Sequence, residues 1–424
     1  MKVLVIGGGG REHALVWKLS QSPLVKKIYC APGNPGMAAL AECRPIAADD
    51  LNGLAGLAQK EKIDLTVVGP EVPLVMGIAD LFTKKGLPVF GPEAGAALLE
   101  GSKAFSKKLM REKGIPTADF AVFNEAGSAR DFIEACRDFP VVLKADGLAA
   151  GKGVLICHDR DQALRGVDSI LADKTFGNAG NTLLIEQFIR GDELSLFVLT
   201  DGKRYLMLPA AQDHKKIGEG DTGANTGGMG AYAPAPLGDR ALLDKVATQV
   251  VEPTLEAMRA IGHPYRGLLY VGLIIREGKP FVLEYNCRFG DPETQAVLPL
   301  IEDDLAPVFM QIARGRLETE RLKVSRRRAF DVVIASGGYP AGYTRGHVIS
   351  GLDGLPEDIL CFHAGTAIKQ GQTVTAGGRV LNLVALDDTF SGAAKKAYAA
   401  IRGISFKDMY YRRDIGYKVL ESGS

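Results

Sequence analysis

The sequence predicts a multidomain protein of mixed α/β and α+β class: an N-terminal parallel-sheet domain of Rossmann-like type, a central α+β region and a C-terminal α+β domain. Three observations carry that expectation. The first hundred residues alternate short apolar strands with helical segments, the pattern of βαβ units. A chain of 424 residues exceeds one simple core and, at about 150 residues per domain, suggests roughly three. Beyond residue 101 the alternation gives way to hairpins and longer helices, and a basic run at 321–328 sets the last stretch apart as a solvated linker would. The expected division is 1–101, 102–323 with an inserted lobe at about 120–190, and 324–424.

Charge and composition exclude several roles. The 51 basic and 50 acidic residues nearly cancel, so no global field draws in nucleic acid or an anionic membrane, and neither is expected as a partner. No apolar run approaches the ~18 residues of a membrane span. The six cysteines are scattered without a CxxC pair, which argues for reduced thiols in a cytoplasmic protein and against a zinc site. Residues 1–6 suit a first buried strand better than a secretory signal.

In the first domain, strands are expected over 2–6, 27–30 and 65–68, with helices over 11–21 and 51–60. Ligands of such a sheet meet the strand C-terminal ends. There Gly7, Gly8, Gly9 and Gly10 open the first helix. Glycines let backbone N–H groups approach an anion, and the helix N-terminus adds partial positive charge. A dinucleotide site would need a third glycine where Glu12 stands and an acid after the second strand, where Cys30-Ala31-Pro32-Gly33-Asn34 stands. A smaller phosphate ligand is therefore expected in place of a nicotinamide cofactor. Gly69-Pro70-Glu71 ends the third strand, as a tight turn or a second ligand loop would.

Gly101-Ser102-Lys103 opens a helix that Gly114-Ile115-Pro116 stops. A strand over 140–144 delivers Lys144 into a glycine-rich stretch with Gly147, Gly151, Lys152 and Gly153, able to lie over phosphates and flanked by two cations. It is not a Walker loop, and a ligand-free hairpin is the bland alternative. A strand over 182–189 contains Glu186 and Ile189 and leads to Glu193: free backbone groups that can read an adenine edge, then a carboxylate for ribose hydroxyls, although many buried strands end in acidic turns. Asp213 and Lys215 flank His214, to which no role is given, and the loop with Asn225, Thr226 and four glycines suggests a backbone-rich substrate site.

A helix over 242–260 and a hairpin over 268–286 lead to the chemically densest stretch, 281–295. Period-2 alternation puts Glu284 and Asn286 on one strand face, two oxygen ligands suited to Mg²⁺. Arg288 follows as a fixed cation, and the turn Gly290-Asp291-Pro292-Glu293 adds two carboxylates. An exposed ion-pair cluster is the competing reading. After a helix over 301–317, strands near 330–335 and 380–385 and a helix near 391–401 make a third domain with no catalytic constellation of its own.

Taken in order, GGGGREHA, GSK, LKADGLAAGKGV, IEQF, QDHK, NTGGMGAY and EYNCRFGDPETQ resemble the glycinamide ribonucleotide synthetase family of the ATP-grasp superfamily, over essentially the whole chain. The resemblance implies central ATP-grasp lobes and an ATP-dependent ligase. The enzyme would phosphorylate the glycine carboxylate and let the amine of 5-phosphoribosylamine displace phosphate, giving glycinamide ribonucleotide in purine biosynthesis. It implies ATP and Mg²⁺ or Mn²⁺ as cofactors, with Glu284 and Asn286 as metal ligands. Lys103, Lys144 and the loop 147–153 would face phosphates, that loop acting as a mobile lid, while Glu186, Ile189 and Glu193 would face the nucleoside. It places Asp213, Lys215 and Arg288 at the chemistry, Asn225, Thr226, Pro292 and Glu293 on the substrate side, and Gly8, Gly9, Gly10 and Glu71 at phosphoribosylamine. One departure is that the strand 270–274 carries no acid where many relatives place another metal ligand. A monomer with transient contacts to neighbouring pathway enzymes is expected. The rivals are a ligase with another amine acceptor, a dehydrogenase built on the first domain, and a non-catalytic ATP-binding module.

Overall fold

The apolar strands Lys2–Gly7, Lys27–Pro32, Glu42–Cys43, Leu65–Val68 and Val89–Phe90 form one parallel sheet, in the order third, second, first, fourth, fifth. The chain steps outward from the first strand and then crosses to its other side, so the reversal lies beside the C-terminal end of Lys2–Gly7, where a crevice opens in sheets of this kind. Val3, Leu4, Val5 and Ile6 are all fully buried, as a strand covered on both faces requires. The helices Gly10–Ser20 and Leu51–Glu61 fall within a residue of their expected bounds. The structure, a computed structural model, describes residues 1–148 and 153–421.

The central region holds two sheets that face each other. One has Phe120–Phe123, Leu183–Gln187, Val141–Ala145 and Val154–Cys157 in that spatial order, all antiparallel. Its inner face carries Val141, Leu143, Leu183 and Ile185 into a separate small core, while Val142, Lys144, Val154, Ile156 and Glu186 line the cleft. The other sheet orders Tyr205–Met207, Asp192–Thr200, Gly267–Arg276 and Lys279–Asn286. The expected helix over 242–260 is helical from Arg240 to Ala260, with one wide turn at Ala247–Val251. The helix expected over 301–317 is shorter, Leu305–Ala313, because Asp304 caps its start by accepting from the Ala306 N–H.

The last sheet crosses the boundary expected at 323. Arg328–Ser336, Arg379–Asp387 and Ile359–His363 pair antiparallel, and Gly230–Ala233 and Gln212–Asp213 extend the same sheet from the central region. Gln212–Asp213 is the edge strand there, while Asn225 ends Thr222–Asn225, which pairs with Lys216–Gly218 as a separate two-stranded sheet. No described helix is long and apolar enough to cross a membrane.

Candidate active site

Between the two central sheets and the first domain lies a cleft of about 1010 Å³. One end of it is apolar. Ile189, Ala118 and Ile274, with Phe281 and Leu283, form a small hydrophobic cluster on one wall, and Val142, Val154 and Ile156 face it from the other sheet. Ile156 is left 37% exposed, an apolar face with nothing on it, which suits a planar ring slotted between the walls.

Next to that slot sits a buried cation cluster. Glu186 Oε2 takes ion pairs from both Lys107 Nζ and Lys144 Nζ at 2.9 Å, and Lys144 also donates to the Leu283 carbonyl at 3.3 Å. Lys107 donates to Thr117 Oγ1, which donates to the Val282 carbonyl, so the pair is tied to both walls. Glu186 Oε1 is buried without a hydrogen-bond partner among the described residues. Burial pushes the Lys107 ammonium down to about 8, against the pull of Glu186. Lys103 begins the helix Lys103–Glu112, which Ser102 caps, and donates to the Gly147 carbonyl at 2.8 Å. Asp146 accepts from Ser102 Oγ and the Ala104 N–H, fastening the start of the glycine-rich stretch to that helix. Gly153 accepts from Ala145 N–H at 2.9 Å. Gly151 and Lys152 lie outside the described residues, as does most of the expected lid.

Glu284 and Asn286 share the cleft face of Lys279–Asn286, as alternation predicts, but so does Leu283, which alternation puts on the opposite face. The pairing with Gly267–Arg276 skips Leu283: Val282 faces Leu273, while Glu284 faces Gly272. This bulge turns two successive residues to the cleft and returns Val282 and Tyr285 to the core. Burial raises the Glu284 carboxyl, but Lys215, Lys144, Lys103 and Arg288 together hold it below its ordinary range, in the ionised form. Among the described residues it makes no ion pair or hydrogen bond of its own, and no three His, Cys, Asp or Glu side chains gather as a metal cage. One carboxylate and one amide oxygen, the latter accepting from Arg288 at 3.4 Å, on a strand facing a lysine-lined cleft fit Mg²⁺ or Mn²⁺, which keep waters and substrate phosphates as their other ligands.

Beyond the strand end the cleft is walled by charge pairs. Arg288 bridges Glu71 Oε2 at 3.2 Å and Glu100 Oε1 at 3.1 Å. Glu100 in turn accepts from the Cys287 N–H at 2.7 Å. Burial pushes the Glu100 carboxyl up, and Arg288 together with Arg11 holds Glu71 down. Lys215 pairs with Glu193 at 2.6 Å, and Asp213 lies half-buried beside them. Loss of solvent, with Glu293 and Glu193 near, pushes Asp213 up to about 8 despite Lys215. Glu293 is buried and accepts from Ser195 Oγ and Tyr270 OH at 3.0 Å each. Thr226 folds back on the Lys215 carbonyl, and Asn225 is exposed on the rim. Gly228, at φ +112°, packs directly on the Pro292 ring.

Three features escape the sequence reading. Lys107 stands one helical turn after Lys103 on the same face, a spacing that could have flagged it. Glu100 shares Arg288 with Glu71. Arg379, from the C-terminal domain, donates to the Gly227 and Asp291 carbonyls at 2.6 and 2.7 Å and pairs with Asp291 Oδ2 at 3.1 Å. The third domain, expected to have no catalytic constellation, therefore contributes a wall of the cleft. The glycine loop also differs in detail: Glu12 folds back and its Oε2 accepts the Gly9 N–H at 2.7 Å. The residue in place of a third dinucleotide glycine thus occupies one of the amides offered to an anion.

Family models match in series along the chain: the phosphoribosylglycinamide synthetase N domain over residues 1–100, its ATP-grasp (A) domain over 101–294 and its C domain over 329–418. A phosphoribosylamine–glycine ligase of Nostoc sp. is 49% identical, with 99% of this chain and 100% of that one covered. A bifunctional purine biosynthetic protein of Pichia angusta is 47% identical over 99% of this chain, which spans 54% of that longer protein. The crystal structure of a phosphoribosylamine–glycine ligase from Thermotoga maritima superposes with a TM-score of 0.86 at 32% identity, covering 98% of this chain and 100% of the other. A biotin carboxylase from Campylobacter jejuni shares the fold, with a TM-score of 0.74 at 16% identity over 96% and 92% of the two chains. By sequence along its whole length and by architecture, the chain belongs to the phosphoribosylglycinamide synthetase family.

Proposed function

We propose that the chain is an ATP-dependent ligase that joins glycine to 5-phosphoribosylamine, giving glycinamide ribonucleotide, ADP and phosphate in purine biosynthesis. The observation that carries this is the order of groups along one cleft: an apolar slot, then Lys144 and Lys103, then Glu284 and Asn286, then Arg288 with Glu71 beside the glycine loop. That order matches a base, its phosphates, a metal and a second, phosphorylated substrate in line.

A carboxylate is a poor electrophile, and phosphorylating glycine gives it a leaving group. The intermediate is glycyl phosphate, and no covalent enzyme nucleophile is needed. Phosphoryl transfer asks mainly for positioning and charge neutralisation. Lys144 and Lys103 neutralise the phosphates, and Lys144 is itself held by Glu186. Ile189 contacts the base, and Glu193, exposed beside Lys215, is available to ribose hydroxyls. Glu284 and Asn286 would hold Mg²⁺ or Mn²⁺, which supplies further neutralisation of phosphate charge when bound. Arg288 and Lys215 orient the carboxylate substrate. Asp213, whose carboxyl burial pushes up to about 8, stands beside Lys215 on the side where the amine attacks. Gly8, Gly10 and Glu71 receive phosphoribosylamine, with Asn225, Thr226, Pro292 and Glu293 shaping the far wall. Six free thiols suit a reducing, cytoplasmic setting. A monomer needs no residue from a second copy to complete this cleft.

The test is ADP release with ATP, Mg²⁺ and glycine, with and without phosphoribosylamine generated in place from ammonia and ribose 5-phosphate. ADP formation that requires both substrates is the expected result. ADP formed only with another amine would overturn the acceptor.

A further inference from the structure

Two cysteines that this reaction does not use lie beneath Gly33 and Asn34, the turn that abuts the glycine loop. Cys30 and Cys43 are register partners on adjacent parallel strands. Such strands run roughly 4.8 Å apart, within the Cα separation of about 4.4–6.8 Å that a disulfide spans. Both turn toward one point: a Cβ built on Gly33 would lie 2.5 Å from Cys43 Sγ and 3.0 Å from Cys30 Cβ. Cys43 Sγ reaches the Asn34 carbonyl at 3.8 Å. Cys30 is buried, whereas Cys43 is half-buried at the sheet edge. One thiol is reachable and the other is enclosed beside it, the arrangement of an attacking and a resolving cysteine. The adjacent thiol eases loss of the first proton, from Cys43, and together with burial holds the proton on Cys30.

We propose that Cys30 and Cys43 form an oxidisable dithiol that a hydroperoxide closes to a disulfide, and that closure weakens binding at the glycine loop above it. The Cys43 thiolate attacks a peroxide oxygen, breaking the O–O bond and leaving a sulfenic acid with water or an alcohol. The Cys30 thiol then attacks the Cys43 sulfur, and water leaves as the S–S bond forms. The two thiols give up two electrons and two protons, and the hydroperoxide takes up both. Cytosolic disulfides are mostly transient and redox-sensing, which agrees with a pair kept reduced at rest.

The route to the site is short. Gly33 donates its N–H to the Gly7 carbonyl at 3.1 Å, and its own carbonyl would lie 2.6 Å from a Cβ on Gly8. Asn34 Nδ2 donates to the Gly8 carbonyl at 3.0 Å. Closing the pair ends the Cys43 contact to Asn34 and shifts the sulfur that already packs beneath Gly33. This second step rests on the reading that the glycine loop holds phosphoribosylamine, whereas the oxidation does not.

The experiment treats the full-length protein with hydrogen peroxide, counts free thiols after denaturation, maps cross-linked peptides by mass spectrometry and measures KM for phosphoribosylamine. The expected result is a loss of two thiols from six, one Cys30–Cys43 peptide lighter by two hydrogens, and a several-fold rise in KM that dithiothreitol reverses. In Cys30→Ala, Cys43 should instead over-oxidise to the sulfinic acid. Over-oxidation of Cys43 in the unsubstituted protein, or a linkage to any other cysteine, overturns the dithiol, and this readout needs no variant to fold. A mapped disulfide with unchanged KM leaves the dithiol standing and overturns its coupling to the loop.

Discussion

Glu284 is ionised, faces four cations and makes no direct ion pair of its own among the described residues. Removing it should cost function and spare the fold. Glu284→Ala is expected to lower kcat on the order of a hundredfold, the scale for loss of one charge-stabilising group, with little change in Tm; retained activity with a large Tm loss would count against its role. Glu186 is the opposite case. Its one carboxylate oxygen neutralises two buried lysines, so Glu186→Gln strands two charges, and breaking such a buried pair costs about 3–5 kcal/mol. A denaturant midpoint that stays in place would refute that account. Lys107 sets a pH dependence. Its pKa falls from 10.5 to about 8 on folding, so the unfolded chain holds that proton more tightly, and this group's contribution to stability rises as pH climbs from about 8 to 10.5. Over the same range its ion pair with Glu186 dissolves. Affinity for an ATP analogue should therefore fall above pH 8 in the unsubstituted protein, and follow a flatter curve in Lys107→Met.

At the scale of elements, the strand Lys279–Asn286 does its work through a one-residue irregularity. Regular alternation would have parted the apolar wall from the two oxygen-bearing side chains, with Leu283 on one face and Glu284 and Asn286 on the other. The bulge at Leu283 places an apolar residue of the slot and the ionised Glu284 next to each other on one wall. The 225–230 loop has a similar dependence on local geometry, since Gly228 takes a left-handed conformation against Pro292. Gly228→Ala is expected to cost on the order of 1–3 kcal/mol in backbone strain and contact, and to raise the KM of an acceptor-side substrate more than that of ATP. Equal changes in both KM values would show that the loop does not act on the acceptor side. The helix start at Lys103 was legible because its cap, Ser102, is written locally, whereas the helix expected near 391 begins at Phe390 behind a Thr389 cap that only the structure shows.

For the whole molecule, the C-terminal domain is structurally inseparable from the central one. Gly230–Ala233 pairs with Arg328–Ser336, and Arg379 clamps Gly227 and Asp291. A chain ending at residue 323 would expose that strand edge and lose the clamp. It is expected to be poorly soluble and to form no ADP, and a soluble, active fragment would contradict this. Arg379→Ala keeps the sheet and removes only the clamp, so it should fold with a Tm near that of the unsubstituted protein while binding acceptor more weakly.

The sequence by itself determined what is local. Apolar alternation and glycine turns placed the first sheet and its loop, the Gly101-Ser102-Lys103 start placed a helix, and a run of chemically rare neighbours from Glu284 to Glu293 pointed to a candidate site. Period-2 spacing also put Glu284 and Asn286 on one face, which the structure keeps. Only the tertiary structure decided what depends on distant pairing. Glu186 became the anchor of Lys107 and Lys144 because Val141–Ala145 and Leu183–Gln187 are register neighbours opposite the helix Lys103–Glu112. Leu283 joined the cleft because its partner strand skips it, and Arg379 reached the cleft because a sheet begun at residue 212 is completed after residue 328. Such placements follow from which strands meet and in what register, a property of packing energy summed over the whole fold that no short window of residues contains.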